Sequence, residues 1–542
     1  MEIKTISTTP FSAQKTGTAG LRKKVTVYEQ KNYLENFIQS VFNAVSGFEG
    51  KTIILGGDGR YYNAHAIQVI AKMAIAQKVG RIIIGQNGLF STPAASNLII
   101  RRKAFGGFIL SASHNPGGKN GDFGIKFDLS NGGGAPENVT NRIYEETKKI
   151  SSYKIAETPD IDISQIGEYT VGETVIEIVD SIKDYVDFVQ GIFDFDALKK
   201  LVSSENFKMR YDAMNGSTGP YATRIFEEIL GAPKGTVLRK TPLEDFGGGH
   251  PDPNLTYAKE LVDLMYSDEN IDFGCAADGD GDRNMILGSH FFVTPSDSLA
   301  ILTANYEKVP YYRGKVKGVA RSMPTSRALD DVTKALGLTS YETPTGWKYF
   351  GSLMDAGLIS FCGEESFGTG CSDLREKDGI WAILYWLSIL ASTGKTVREI
   401  VQDHWKTYGR HYYLRYDYET LETQDALDFM DYLRSQFGKI TKVGNETVQK
   451  FEEWNYTDPS TRETALNQGI ILMFESGSRI VFRLSGTGSS GKTLRIYLEK
   501  YEKEASRLNE EPQEVIKPLF EGMAKAFSLK ERLHREYPTV IT

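Results

Sequence analysis

Asp278, Asp280 and Asp282 occupy alternate positions in Asp278-Gly-Asp-Gly-Asp, so in an extended segment their three carboxylates project to one side. Gly279 and Gly281 let the backbone curl until the oxygens converge. Three carboxylates that close repel one another unless a cation holds them, and hard oxygen donors suit Mg²⁺, Mn²⁺ or Ca²⁺. An EF-hand is excluded: the positions that need Gly and Glu hold Arg283 and Ser289. Arg283 beside the triad suggests that an anionic oxygen binds there too. A solvated acidic turn is the plain alternative.

Three further polar loops stand out. In Ser111-Ala-Ser-His-Asn-Pro-Gly-Gly, Ser113 follows an apolar run, so its hydroxyl could be fixed while backbone N–H groups face an anion. By composition alone the segment reads as a turn. Gly363-Glu364-Glu365-Ser366 offers the carboxylates and hydroxyl used to grip sugar hydroxyls, although an acidic helix start has the same composition. Ser485-Gly-Thr487-Gly-Ser can form an anion nest between Arg483 and Arg495. It is no Walker A loop, because no Gly-Lys-Ser/Thr opens a helix. Six of the seven histidines lack ligand spacing. His114 alone lies in a chemical loop, and adjacent side chains of an extended loop point apart, which disfavours a protease-like pair with Ser113.

A hydroxyl nucleophile, a metal triad, a carboxylate-hydroxyl loop and a phosphate nest together suit phosphoryl transfer, in which catalysis is mostly positioning and charge neutralisation. Each lies in a different quarter of the chain, so a cleft where several domains meet is expected to unite them.

The elements that must position these loops follow a repeated pattern. Apolar runs at Thr52, Arg81 and Gly107 read as strands, separated by helices over 61–78 and 92–103. They predict a largely parallel sheet with helices on both faces. The pattern recurs with strands at 207–212, near Val237 and at 273–277, and helices over 219–230 and 256–265. It recurs again from a strand at 316–321 to one at 358–362. Each round ends in one of the polar loops, where open α/β sheets usually bind ligands. From about Thr407 the texture changes to helix 426–437, strands 470–474, 479–484 and 493–498, and helix 512–526, an α+β domain.

Composition narrows the class. At about 150 residues per domain, 542 residues predict three or four domains. A net charge of −7 leaves no basic excess for a nucleic-acid coat, so an anionic substrate needs a local cluster of Arg and Lys. Three cysteines are too few and too odd for a disulfide framework and favour a reducing compartment. The start, Met1 to Pro10, has no apolar core of a signal peptide, and the greasiest stretch, 380–391, is too short to span a membrane and reads as a buried helix.

The four loops, in this order, resemble those of the α-D-phosphohexomutase superfamily and, within it, the phosphoglucomutases. Thr16-Gly-Thr-Ala-Gly-Leu-Arg22, Gly247-Gly-Gly-His-Pro-Asp-Pro-Asn-Leu-Thr256, Thr343-Pro-Thr-Gly-Trp-Lys348 and the closing Pro538-Thr-Val-Ile-Thr are similar too, so the resemblance runs the length of the chain. It implies an α/β fold of four domains, three similar ones with mixed sheets and a C-terminal α+β domain. Their expected limits are 1–187 with the phosphoserine loop, 188–294 with the metal loop, 295–406 with the sugar loop and 407–542 with the phosphate loop.

The same resemblance implies a cytoplasmic isomerase that interconverts glucose 1-phosphate and glucose 6-phosphate. Ser113 would carry the phosphoryl group, with glucose 1,6-bisphosphate as intermediate and activator. One Mg²⁺ per chain would lie on Asp278, Asp280, Asp282 and Ser113. Glu364 and Ser366 would grip sugar hydroxyls, with Thr345 and Gly346 lining the sugar. Arg483, Ser485, Thr487 and Arg495 would hold the phosphate that is not reacting. Arg22, His114, Lys126, Arg283 and Lys377 match basic positions around the one that is, with His114, Lys126 and Lys377 counted with Ser113 as catalytic. The partners expected are small sugar phosphates, not nucleic acid or membrane, for a monomer or weak homo-oligomer.

Ser111 replaces a more usual Thr, Lys492 adds a charge near the phosphate loop and Cys371 stands where Ser is common; no catalytic group is lost. The alternatives are a mutase for mannose or N-acetylglucosamine phosphates, and a silent relative serving as a scaffold. The latter would be expected to lose Ser113 or one aspartate of the triad, and neither is lost.

Overall fold

The computed structural model describes residues 1–17, 20–485 and 491–542. The chain folds into two compact units. Met1–Ser298, Asn305–Val319 and Gly346–Arg398 form the first; Leu299–Ala304, Ala320–Thr345 and Glu399–Thr542 form the second.

The first unit is built on a seven-stranded sheet in which four adjacent strands, Gly106–Leu110, Thr52–Gly57, Arg81–Leu89 and Thr174–Val179, are parallel. Their apolar runs are continuous because both faces are covered. Ile53, Leu55, Ile82 and Ile84 pack with the helices Tyr33–Ala44 and Asn63–Ala76. Ile54, Ile83 and Ile109 join Ala95, Leu98 and Ile99 of the helix Thr92–Arg101 in a separate cluster. The sheet is not largely parallel throughout: Leu21–Lys24, Asp122–Leu129 and Gly167–Val171 flank it antiparallel, so it is mixed. Its strand Gly106–Leu110 runs straight into the loop that carries Ser113.

A second sheet of five strands places Met209–Asp212 between Val237–Leu238 and Phe273–Ala277, all parallel. Asn284–Gly288 and Phe291–Val293 continue it antiparallel. The triad is thus the connection between the neighbouring strands Phe273–Ala277 and Asn284–Gly288. The helix expected over 219–230 is α-helical only over Thr218–Ala222 and widens to a π-helix over Thr223–Ile229.

The third polar loop is a hairpin of Phe361–Glu364 against Gly368–Cys371. The first of these strands starts later than its apolar run suggests. Gly357, at φ +65°, closes the helix Trp347–Asp355, and the Leu358 N–H donates back to Leu353 O at 2.9 Å, which spends Leu358 on a helix cap. Nearby, the helix Gly379–Thr393 is buried almost all round. Its Trp381 and Trp386 donate to Tyr312 Oη and Ser298 Oγ, each at 2.8 Å. Among the described residues, no single helix is long and apolar enough to cross a membrane.

The second unit carries a seven-stranded antiparallel sheet, ordered Lys442–Val443, Glu446–Thr457, Thr464–Phe474, Arg479–Ser485, Lys492–Glu502, Arg410–Leu421, Val540–Ile541. Helices Thr423–Ser435 and Pro512–Ala526 cover it through a shared core. The long strands Arg410–Leu421 and Glu446–Thr457 go beyond the sequence reading, because they interleave charged and aromatic residues and have no aliphatic run. Arg479 and Glu499, both buried, pair at 2.8 Å, and His411 bridges Glu499 at 2.6 Å to Asp331 at 2.8 Å.

Candidate active site

Ser113 is almost wholly buried and adopts φ +51°, a left-handed conformation uncommon for a residue with a side chain. Its Oγ donates to Asp278 Oδ2 at 2.7 Å. Its N–H donates to Ser111 Oγ at 2.7 Å. Ser111 Oγ lies 2.8 Å from Asp280 Oδ2, and Thr92 Oγ1 donates to the same oxygen at 2.7 Å. The loops at 111 and 278 therefore share one hydrogen-bond network. Ser111 keeps the hydroxyl that this network needs.

The left-handed turn at Ser113 also changes the expected relation to its neighbour. His114 Nδ1 comes to 3.4 Å from Ser113 Oγ, whereas an extended loop would have separated them. Among the described residues no carboxylate is bonded to this imidazole, so what is seen there is not a protease triad. Burial, and then the positive charges of Arg283, Arg22 and Lys377, hold His114 well below the usual histidine range.

The three aspartates are buried, with carboxylate oxygens all within 4.8 Å of one another. Asp280 Oδ1 and Asp282 Oδ1 are buried and accept no hydrogen bond among the described residues. Burial, then the neighbouring Asp282 and Asp280, push Asp278 well above the usual carboxylate range. A set of hard oxygen donors with two orphaned atoms fits a divalent cation.

Cations ring the same place. Lys377 Nζ is 3.0 Å from Asp282 Oδ2. Arg283 donates its N–H to Asp278 Oδ1 at 3.0 Å and Nη1 to Asp252 Oδ1 at 3.1 Å. Arg22, held below its usual value by burial, feels Asp280 and Asp282. The buried Nε atoms of Arg22 and Arg283 lack acceptors among the described residues, so both have a donor to spare. Lys126 pairs with Glu376 at 2.6 Å; burial opposes its charge, but Glu376 and Asp128 outweigh that and raise it above the usual lysine value. Asp128, buried beside them, is itself pushed up to about 8 by burial.

The sugar-loop hairpin is stitched to the metal loop, with the Asn284 N–H donating to Phe367 O at 2.9 Å. Glu364, raised by burial, accepts from the Gly346 N–H at 3.0 Å, where Gly346 takes φ +129°. Ser366 sits half-buried in the hairpin turn.

In the first unit the fold thus collects Arg22, Ser113, His114, Lys126, the triad, Arg283, Glu364 and Lys377. Thr345 falls in the second unit, its buried Oγ1 without a partner among the described residues. Also in the second unit, Arg483 and Arg495 stand directly opposite each other in the ladder, with Ser485 opposite Thr493 two positions on. Like charges so paired are unfavourable unless an anion or carboxylate offsets them, and Asp417 lies 3.8 Å from Arg495. Thr487 and its neighbours over 486–490 lie outside the described residues, as do Thr18 and Ala19.

Several residues go beyond the sequence reading: Asp58, Arg60, Thr92, Asp252 and Glu376. The signal for the first two was the polar stretch Gly57-Asp-Gly-Arg60, which follows a buried strand as the other loops do. Asp252 lies in the stretch Gly247–Thr256 that carries the resemblance, whereas Thr92 and Glu376 had no local signal.

Sequence models described as Phosphoglucomutase/phosphomannomutase, alpha/beta/alpha domains I, II and III match residues 13–154, 183–290 and 295–408. One described as Phosphoglucomutase-1, C-terminal domain, matches 410–539. The phosphoglucomutase of Rhizobium radiobacter is 53% identical, with 100% of each chain covered. The cytoplasmic phosphoglucomutase of Solanum tuberosum is 52% identical, covering 100% of this chain and 99% of its own. Relatives named chloroplastic match as well. Among solved structures, pp63/parafusin of Paramecium, a phosphoglucomutase, is 46% identical with a TM-score of 0.94, covering 100% of this chain and 99% of its own.

Proposed function

The chain belongs to the phosphoglucomutase/phosphomannomutase family, with its three α/β/α domains and a C-terminal domain, and on that premise we propose how it performs its reaction. It is an isomerase, a phosphoglucomutase. The boundaries we propose for its parts are 1–187, 188–294, 295–406 and 407–542.

Ser113 carries the phosphoryl group. The bond from phosphorus to Ser113 Oγ breaks as a hydroxyl oxygen of the bound glucose phosphate bonds to phosphorus, and the hydroxyl proton leaves for a base. The product, glucose 1,6-bisphosphate, turns over and returns its other phosphoryl group to Ser113 Oγ. The observation that supports this is the contact of Ser113 Oγ with Asp278, next to His114, which feels the positive charges of Arg283, Arg22 and Lys377. Phosphoryl transfer through a loose transition state needs little else than such positioning and charge.

Asp278, Asp280 and Asp282, with Ser113 Oγ, would hold one Mg²⁺, which when bound supplies positive charge to the phosphoryl oxygens. Lys126, kept as an ammonium chiefly by Glu376, contributes charge rather than accepting a proton. His114, kept neutral by burial and the surrounding cations, leaves the pocket's positive charge on Arg22, Arg283 and Lys377. Glu364 and Ser366 grip sugar hydroxyls, with Thr345 and Gly346 lining the sugar. Arg483, Ser485, Thr487 and Arg495 take the phosphate that is not reacting. Two phosphate sites are what a bisphosphate intermediate requires.

The test is Ser113→Ala in a coupled assay on glucose 1-phosphate and on mannose 1-phosphate, with and without glucose 1,6-bisphosphate. The expected result is a folded protein without turnover, against a wild type that prefers glucose 1-phosphate and is activated by the bisphosphate. Turnover by Ser113→Ala near the wild-type rate would exclude the phosphoserine route. A wild type that prefers mannose 1-phosphate would reassign the substrate. The three cysteines are free and buried, in keeping with a cytoplasmic location, which fractionation would test. A monomer or weak homo-oligomer is the assembly proposed, to be checked by sedimentation.

A further inference from the structure

We propose that Arg60 is a positioning residue for this reaction: its guanidinium clamps the backbone of the loop that carries Ser113 and so sets the direction of the Ser113 hydroxyl. The inference rests on the reading of Ser113 as the group that carries the phosphoryl.

Arg60 is 0% exposed, so it touches no substrate. A buried guanidinium has donors to place and no acceptor of its own, and leaving any of them idle is costly. Here each of the three nitrogens is directed. Nε donates to Asp58 Oδ2 at 2.9 Å and Oδ1 at 3.1 Å, and this carboxylate, also buried, fixes the plane of the group. Nη2 then donates to Ser113 O at 2.8 Å. Nη1 donates to Asp122 O at 2.8 Å and Asn115 O at 3.3 Å. Three carbonyls from both arms of one loop thus converge on one side chain. The Phe246 ring lies 5.1 Å from the guanidinium.

The carbonyl of Ser113 is the informative one. A non-glycine residue at φ +51° sits in a sparsely populated region, at a cost of about 1–3 kcal/mol, and stays there only if its surroundings hold it. Ser113 is held at both ends, through its N–H by Ser111 and through its carbonyl by Arg60. With both peptide groups fixed, the Cα–Cβ bond has one direction, and it aims Oγ at Asp278. A buried ion pair that served stability alone could often be replaced by an apolar pair at no loss. Asp58 joins the same device from the other side, since its Oδ2 lies 2.9 Å from Ser111 Oγ.

The experiment compares full-length wild type, Arg60→Met, Arg60→Lys and Asp58→Asn. It reads the rate of Ser113 phosphorylation by glucose 1,6-bisphosphate, followed by peptide mass, together with kcat, KM and thermal unfolding. Misplacing a reacting group by about 1 Å can cost about 100-fold, so Arg60→Met is expected to lower kcat and the phosphorylation rate by about that factor, with KM changed less than about threefold. Arg60→Lys, which restores one donor, is expected to recover part of the loss. A folded Arg60→Met that phosphorylates at the wild-type rate, or loses efficiency through KM alone, overturns the inference. Should Arg60→Met fail to fold, Asp58→Asn decides: a loss of about tenfold in kcat is expected, and a wild-type rate overturns it. Wild-type Ser113 that takes no phosphoryl group from the bisphosphate would overturn the phosphoserine reading and this inference with it, whatever the variants do.

Discussion

Gly279 lies so close to Ser113 that a β-carbon built on it would stand 2.9 Å from the Ser113 carbonyl oxygen and 3.1 Å from the Phe246 ring. Two loops far apart in sequence meet here backbone to backbone. The glycine between Asp278 and Asp280 therefore does more than let the triad curl.

Gly279→Ala is expected to push these loops apart, because the atom in the way is a carbonyl held by Arg60 and cannot swing aside. A displacement of about 1 Å between nucleophile and triad predicts a kcat lower by about 100-fold in a protein that still folds. Steady-state kinetics beside circular dichroism would show it, and an unimpaired Gly279→Ala would mean that the loops need not touch.

Removal of divalent metal should be visible without any assay of turnover. Binding at a hundred times the dissociation constant stabilises a native state by about 2.7 kcal/mol, so Mg²⁺ added to chelated protein is expected to raise its melting temperature. Asp280→Asn is expected to blunt that rise. A melting curve indifferent to EDTA and Mg²⁺ would exclude the triad as a metal site.

The second unit should lose stability as pH rises. Burial opposes the charge on His411, but its hydrogen bonds to Asp331 and Glu499 prevail and raise it above the usual value. A raised native value stabilises the fold fully below the unfolded value of about 6.5 and ceases to do so as pH climbs through the native one. His404, buried and lowered to about 3, acts in the opposite sense, but only below about 6.5. Urea midpoints between about pH 6.5 and 9 are therefore expected to fall, at no more than about 1.4 kcal/mol per pH unit. His411→Gln should flatten that slope, and an unchanged slope would exclude this residue as its source.

Arg495→Met should separate binding from folding. A charge-assisted hydrogen bond contributes about 1.5–3 kcal/mol, so losing one to a substrate phosphate predicts a KM for glucose 1-phosphate raised about tenfold or more. Stability should change by no more than about 0.5 kcal/mol, since a partly exposed site is altered and its repulsion with Arg483 is relieved. An unchanged KM would remove Arg495 from the phosphate site.

Much of the site was readable because its signals are local. Alternation placed the three carboxylates together, and in the fold their oxygens lie within 4.8 Å of one another. The apolar runs at Ile53 and Ile82 announced buried strands, and the Ser113 loop follows the strand Gly106–Leu110 as expected. Other residues were silent for a physical reason. Nothing near Arg60 in sequence reveals that its partner is the Ser113 carbonyl, 53 positions away, or that Lys126 meets Glu376, 250 positions on. The strands Arg410–Leu421 and Glu446–Thr457 went unread because mixed aromatic and charged residues satisfy a half-covered sheet without any aliphatic run.

The sequence by itself determined which chemical groups are present, the order of the elements that deliver them, and the small residues that permit close backbone approach. Those follow from side-chain type and period, which act over a few positions. Only the tertiary structure decided that Ser113 turns left-handed, that its hydroxyl reaches Asp278 and comes near His114, and that Arg60 and Asp58 fix it there. These depend on distances between segments far apart in the chain, set by strand register and by contacts such as Gly279 against the Ser113 carbonyl, which no local pattern encodes.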